Sequence, residues 1–107
     1  MTKLAQFIKV LGDANRLAII HAIGESTRSV TEIIAETGLS QTLVSFHLRV
    51  MREKSVVTTQ RDGPFIFYSL STPELYGLIG ELARVAGIES AIGKPISSSV
   101  KVNQNRS

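Results

Sequence analysis

The feature that most restricts this chain is a short hinge, Gly38-Leu39-Ser40. Glycine takes the left-handed conformation that closes a helix without a Cβ clash, and serine caps the helix that follows. With only Leu39 between them, two consecutive helices must turn sharply onto one another, which is a helix-turn-helix. The first of the pair is announced by Ser29-Val30-Thr31-Glu32, a capping-box pattern in which serine and glutamate each satisfy a free amide, and is predicted over about Val30 to Thr37. The second, capped by Ser40, is predicted to run to about Lys54.

The flanking segments complete an arrangement. Leu4, Phe7, Ile8 and Leu11 recur at helical spacing and predict a first helix ending at Gly12. Asp13 suits the N-cap of a second helix, Ala14 to Ile23, stopped by Gly24. After Ser55, residues 56–61 and 65–70 are rich in β-branched and aromatic side chains and flank Asp62-Gly63-Pro64, predicting a hairpin over 56–70. Ser71 or Thr72 is the expected cap of a last helix with Pro73 at an early position and Leu75, Leu78, Ile79, Leu82 and Ala86 along one face. Gly77-Leu78-Ile79-Gly80 falls inside that helix and reads as a close-packing feature rather than a phosphate loop. The expected fold class is mainly α with a β-hairpin, in the order α-α-α-α-β-β-α: a winged helix-turn-helix within residues 1–93. Residues 94–107, polar with three consecutive serines, are predicted to be a disordered tail.

Composition narrows the function. A chain of 107 residues has room for one core. It contains no apolar run near the roughly 20 residues that span a bilayer, and its N-terminus lacks a signal-peptide pattern, so a cytoplasmic location without membrane contact is expected. Cysteine is absent, which excludes disulfides, thiolate nucleophiles and thiolate metal sites together. The net charge of +3 says little until it is divided along the chain. Residues 1–39 hold four basic and four acidic side chains, 40–61 four and one, 62–93 one and four, and 94–107 three and none. Apart from the tail, the positive charge is concentrated on the second helix of the pair and the strand after it, as a polyanion-binding surface requires.

On a wheel of that helix at about 100° per residue, Gln41, Thr42, Ser45, Phe46, Arg49 and Arg52 share an arc of roughly 140°. Leu43, Val44, Leu48, Val50 and Met51 occupy the other side. Glutamine and arginine are suited to bidentate contacts with adenine and guanine in a major groove, and serine and threonine to bases or phosphates. Gln41, Thr42, Ser45 and Arg49, nearest the N-terminus, are therefore the candidates for base edges, and Arg52, Lys54 and Arg61 for phosphates. Phe46 suits either a thymine methyl or the cover of a neighbouring side chain. His47 falls beside the core arc and reads as a hydrogen-bonded structural histidine, and His21 reads the same way. No nucleophile-base pair, clustered carboxylates, glycine-rich phosphate loop or metal-ligand spacing occurs, so neither an enzyme nor a cofactor site is expected. The competing expectation is a winged-helix module that binds another protein.

Leu11-Gly12-Asp13-Ala14-Asn15-Arg16-Leu17, the block Gly38 to Leu48 with its Val44-Ser45 and His47-Leu48 pairs, and Arg61-Asp62-Gly63 followed by Tyr68-Ser69-Leu70 resemble the ArsR family of bacterial winged-helix repressors. The resemblance covers about residues 4–86. It implies a homodimer built by the first and last helices, through Leu4, Phe7, Ile8, Leu75, Leu78, Ile79 and Leu82. It also implies repression by occupying operator DNA, with an inverted repeat matching the two-fold axis, and release by an effector. The apolar stripes of those two helices agree, since they offer more apolar surface than one small core needs. Ser29 and Thr31 stand where the family's thiol sensors carry cysteines. The last helix offers only Glu74, Glu81 and Glu89 toward the family's other metal site. Neither site carries over, and the effector is left open among an organic molecule in an interhelical pocket, a protein, and the protein's own concentration. Ser55 replaces a glycine that usually follows the recognition helix. Thr58, Thr59 and Gln60 replace a frequently arginine-rich wing strand, so a shallow salt dependence is expected.

Overall fold

The computed structural model describes residues 1–88. Its elements run α1 (Thr2–Leu11), α2 (Ala14–Ile23), β1 (Arg28–Ser29), α3 (Val30–Thr37), α4 (Gln41–Glu53), β2 (Val57–Asp62), β3 (Phe65–Leu70) and α5 (Glu74–Val85). Helices α2, α3 and α4 stand where sequence places them because their caps form, whereas α1 has no side-chain cap at its start. The Asp13 carboxylate accepts from the amides of Asn15 and Arg16, Ser29 and Glu32 make the reciprocal capping box, and the Ser40 hydroxyl accepts from the Leu43 amide. Gly38, at φ 73°, turns α3 into α4.

The hairpin pairs Val57 with Leu70 through to Asp62 with Phe65, leaving Gly63 and Pro64 as its two-residue loop. Gly63 takes φ 63° and proline holds φ near −65°, the sign pattern of a turn whose twist matches that of the strands. A third strand joins them: β1 pairs antiparallel with β3, Arg28 opposite Tyr68 and Ser29 opposite Phe67, giving the order β1-β3-β2. Two residues carry too little pattern to announce a strand, and Ser29 serves at once as strand end and helix cap. The Thr27 and Ser69 hydroxyls, 3.0 Å apart, fasten the same edge.

The core joins α2, α3, α4, the sheet and α5 through Ile19, Ile20, Ile23, Ile33, Val44, Leu48, Met51, Val57, Leu70, Leu75 and Ile79, with Val56 beside them. Helix α1 contributes no buried residue; only Val10 and Leu11 rest against this cluster. Three expectations for α5 need correction. Its N-terminus has no side-chain cap from Ser71 or Thr72; Pro73 occupies the cap position, and Glu74 supplies the favourable first-turn charge. Its apolar face, moreover, is divided. Leu75 and Ile79 are buried in the chain's own core, so they are withdrawn from the dimer surface, whereas Leu78 and Leu82 are 61% and 62% exposed. The stripe is wider than the groove it packs into, and one edge turns inward while the other stays out. Gly77 is no close-packing point, since a Cβ there would meet nothing within 4 Å.

Helix α4 closes on Ser55, the one non-glycine residue with positive φ among those described, at 61°. The Ser55 amide donates to the Arg52 carbonyl and the Val56 amide to that of Met51, a helix-ending pair that normally takes glycine. The left-handed conformation costs an L-residue roughly 1–2 kcal/mol, and glycine gives back part of the gain as backbone entropy. Ser55→Gly is therefore expected to stabilise the fold by about 0.5–1 kcal/mol, read as a higher urea midpoint at fixed protein concentration; an unchanged or lower midpoint would contradict this account of the turn.

Candidate nucleic-acid interface

Helix α4 is sorted by burial as the wheel requires. Val44, His47, Leu48 and Met51 are buried, and Gln41, Thr42, Ser45, Phe46, Arg49 and Arg52 are exposed, as is Lys54 at the C-cap. Leu43 was expected on the core side but is 40% exposed, and Val50 is half-buried; both lie about 90–110° from the middle of the buried arc, at its margin. Arg61 extends from β2 on the wing, where its Nη1 reaches toward the Gly63 carbonyl at 3.5 Å. Thr58 and Gln60 are exposed along the same strand and Thr59 is half-buried, so Arg61 is the single cation of β2.

Two contacts organise the exposed face. The Arg49 guanidinium lies 5.7 Å from the centre of the Phe46 ring, a cation–π arrangement that holds the arginine against its own helix. Phe46, 47% exposed, also meets the His47 ring edge-on at 5.1 Å. The ring therefore covers a neighbouring side chain, one of the two roles its position allowed.

Behind this face, His47 is 5% exposed and held from below. Its Nδ1 lies 3.2 Å from Nη1 of Arg16. A guanidinium only donates, so Nδ1 accepts, and Nε2 on the other side of the ring faces the Asp13 carboxylate at 4.0 Å. The Nε of Arg16 donates to the Val10 carbonyl at the end of α1. Sequence marked His47 as structural but could not name Arg16, 31 positions away, as its partner. His21 stacks on Tyr76 of α5, with ring centres 5.7 Å apart.

The side chains at the family's sensor positions have other work. The Ser29 hydroxyl is occupied as a helix cap, and the Glu81 carboxylate holds Arg84 at 2.9 Å; Glu89 lies outside the described residues, as does the tail 94–107. Among the described residues no group of three or more histidine, cysteine, aspartate or glutamate side chains is arranged to hold a metal ion, and no helix is long and apolar enough to cross a membrane.

A three-helix unit with a helix-turn-helix, a two-stranded wing and a donor-rich second helix defines the winged helix-turn-helix class. Residues 13–59 match the family described as bacterial regulatory protein, arsR family. The nodulation protein NolR of Rhizobium meliloti is 30% identical over 83 residues, 78% of this chain and 68% of NolR. The crystal structure of Rv0081 from Mycobacterium tuberculosis superimposes with a TM-score of 0.72 at 31% identity, over 80% of this chain and 87% of that one. That of the transcriptional repressor BigR from Xylella fastidiosa gives 0.71 at 30% identity, over 78% and 86%. The chain belongs to the arsR family of bacterial regulatory proteins, and its fold is that family's winged helix-turn-helix.

The Asp13 carboxyl is held below its ordinary value near 3.8, first by the Arg16 amide, against the opposing effect of partial burial, and then by the Asn15 amide and the charges of Arg16 and His47. A depressed carboxylate stabilises the fold above its unfolded pKa and loses that contribution as pH falls through the folded value. Asn is an equally good cap without the charge. Asp13→Asn is expected to lower the urea midpoint at pH 7 and to lose that deficit progressively as pH falls below 3.8; a deficit constant across the acid range would assign Asp13 a purely geometric role.

Proposed function

We propose that the protein is a homodimeric repressor that places α4 in the major groove of an inverted-repeat operator and the wing on the flanking backbone. The observation that carries this reading is the division of α4: Gln41, Thr42, Ser45, Arg49 and Arg52 are exposed on one side, while Val44, His47, Leu48 and Met51 are buried on the other. Gln41, Thr42, Ser45 and Arg49 are assigned to base edges, and Arg52, Lys54 and Arg61 to phosphates. Phe46 positions Arg49 beside the bases. Repression is supported by the relative named as a transcriptional repressor. No catalytic step belongs to this reading, its setting is the cytoplasm, and residues 1–93 carry both activities.

Dimerisation follows from the surface left over. Leu4, Phe7 and Ile8 of α1 are 50%, 39% and 52% exposed, and Leu78 and Leu82 of α5 more so, with Val85 at 73% extending the α5 edge. A second copy covering both helices would remove this surface from water and present two recognition helices about a two-fold axis. Leu78→Glu with Leu82→Glu is expected to raise the dimer dissociation constant at least about a hundredfold, since burying each leucine contributes roughly 1.5–3 kcal/mol. Sedimentation equilibrium reads the change, and a dimer of undiminished stability would place the interface elsewhere.

DNA binding is tested by fluorescence anisotropy against the duplex upstream of the gene and a scrambled duplex, at two salt concentrations. The native chain is expected to prefer the upstream duplex, with the shallow salt slope of a wing carrying one arginine. Arg49→Ala and Gln41→Ala should each cost about 1–3 kcal/mol of the preference for the correct duplex while leaving the salt slope nearly intact. Weak binding to both duplexes, abolished by salt, would favour the protein-interaction module.

A further inference from the structure

Between α1, the start of α2 and the end of α4 lies an open cleft of about 560 Å³, inside the roughly 300–1,000 Å³ range of small-molecule sites. Lys3 and Lys9 reach it from α1, Arg16 from α2 and Lys54 from the C-cap of α4, while Phe7 and Val10 form an apolar wall. Among the described residues that line it, none is acidic. The neighbouring carboxylate of Asp13 already accepts from two backbone amides. Arg16 has committed Nε to the Val10 carbonyl and Nη1 to His47, which leaves donors of its five over. Four like charges gathered from three helices repel one another, and an anion among them turns that repulsion into attraction.

We propose that this cleft binds a small organic anion, its carboxylate or comparable head held by Lys3, Lys9, Arg16 and Lys54 and its apolar body resting on Phe7 and Val10. The apolar wall argues for an organic body, since neither inorganic phosphate nor a DNA backbone phosphate brings anything to cover it. The cleft meets the proposed dimer surface at Phe7, while Leu4 and Ile8 do not line it. On a wheel of α1, Lys3, Phe7 and Val10 lie within an arc of about 60°, whereas Leu4 and Ile8 lie about 100–140° from Lys3, with Phe7 on the border. Binding itself is independent of the DNA reading. That occupancy alters repression rests on it: the anion would draw on Lys54, which is assigned to a phosphate, and on Arg16, which holds His47 beneath the recognition helix.

The test is a ¹H–¹⁵N titration of the full chain, without DNA, using 1-naphthoate, its neutral analogue 1-naphthamide and inorganic phosphate. Naphthoate is expected to shift the Phe7, Val10 and Lys54 amides saturably, with naphthamide and phosphate each binding at least about tenfold more weakly. The double variant Lys3→Gln/Lys9→Gln should weaken naphthoate about tenfold, or about 1.4 kcal/mol, with operator affinity by anisotropy unchanged. The proposal is overturned by no saturable shift, by naphthamide matching naphthoate, or by phosphate matching it. It is equally overturned if the double variant spares naphthoate but weakens DNA, which would make the cluster a backbone contact. Because naphthoate is read without DNA, a chain that fails to bind an operator can still pass, and one that binds an operator can still fail.

Discussion

The guanidinium of Arg16 is the tie on which the arrangement of α1, α2 and α4 depends. It bonds the Val10 carbonyl where α1 ends, sits one turn into α2 beside the Asp13 cap, and supports the buried ring of His47 on α4. Without it, a half-buried carbonyl and a buried imidazole nitrogen would both lack a protein partner, and each unsatisfied group costs on the order of 1–3 kcal/mol. Val44, Leu48 and Met51 pack α4 into the core and restrict its roll, and a directed bond to one ring nitrogen restricts it further. The roll of α4 about its axis decides which side chains face outward, so this buried polar contact and the packing together set the aim of the exposed face.

The same economy explains why α1 looks incomplete. A ten-residue helix is marginal alone in water, and α1 touches the core only through Val10 and Leu11 near its end. Its remaining apolar residues and the outer edge of α5 are surfaces that this chain does not cover. The family to which it belongs gives the class of molecule; the uncovered ridges on α1 and α5 give the place where a second copy would complete the packing.

Much of this was legible in the sequence because it is written in local chemistry. Asp13, Ser29, Glu32, Gly38 and Ser40 act within a few residues of themselves, so their identities predict four helix boundaries, and the polar arc of α4 follows from periodicity alone. What was not legible depends on partners distant in the chain. The strand Arg28–Ser29 exists because β3 offers it an edge, the Arg16–His47 contact spans 31 positions, and the inward turn of Leu75 and Ile79 depends on where α2 and the sheet leave room. Periodicity shows that a stripe is apolar but not how much of it one core can absorb. For the site, exposure of the assigned residues follows from the wheel, whereas the stacking of Arg49 on Phe46 needed both side chains in place.

These two levels meet at α4. A ligand can change DNA affinity only if it interacts differently with the binding-competent arrangement and with some other one. The exposed side of α4 is built from side chains that its own helix and Phe46 hold, so it offers little to switch. The buried side is different: His47 is joined through Arg16 to α1, and α1 is the helix least fixed by the core. Displacement of α1 therefore has a bonded route to the ring that helps set the roll of the recognition helix, through Val10, Arg16 and His47. An anion drawing on Arg16 would act at the middle of that route, and a partner subunit packed on Leu4 and Ile8 would act at its beginning. Dimerisation and ligand binding would thus bias the same element, which is the condition under which either can change the other's effect on DNA.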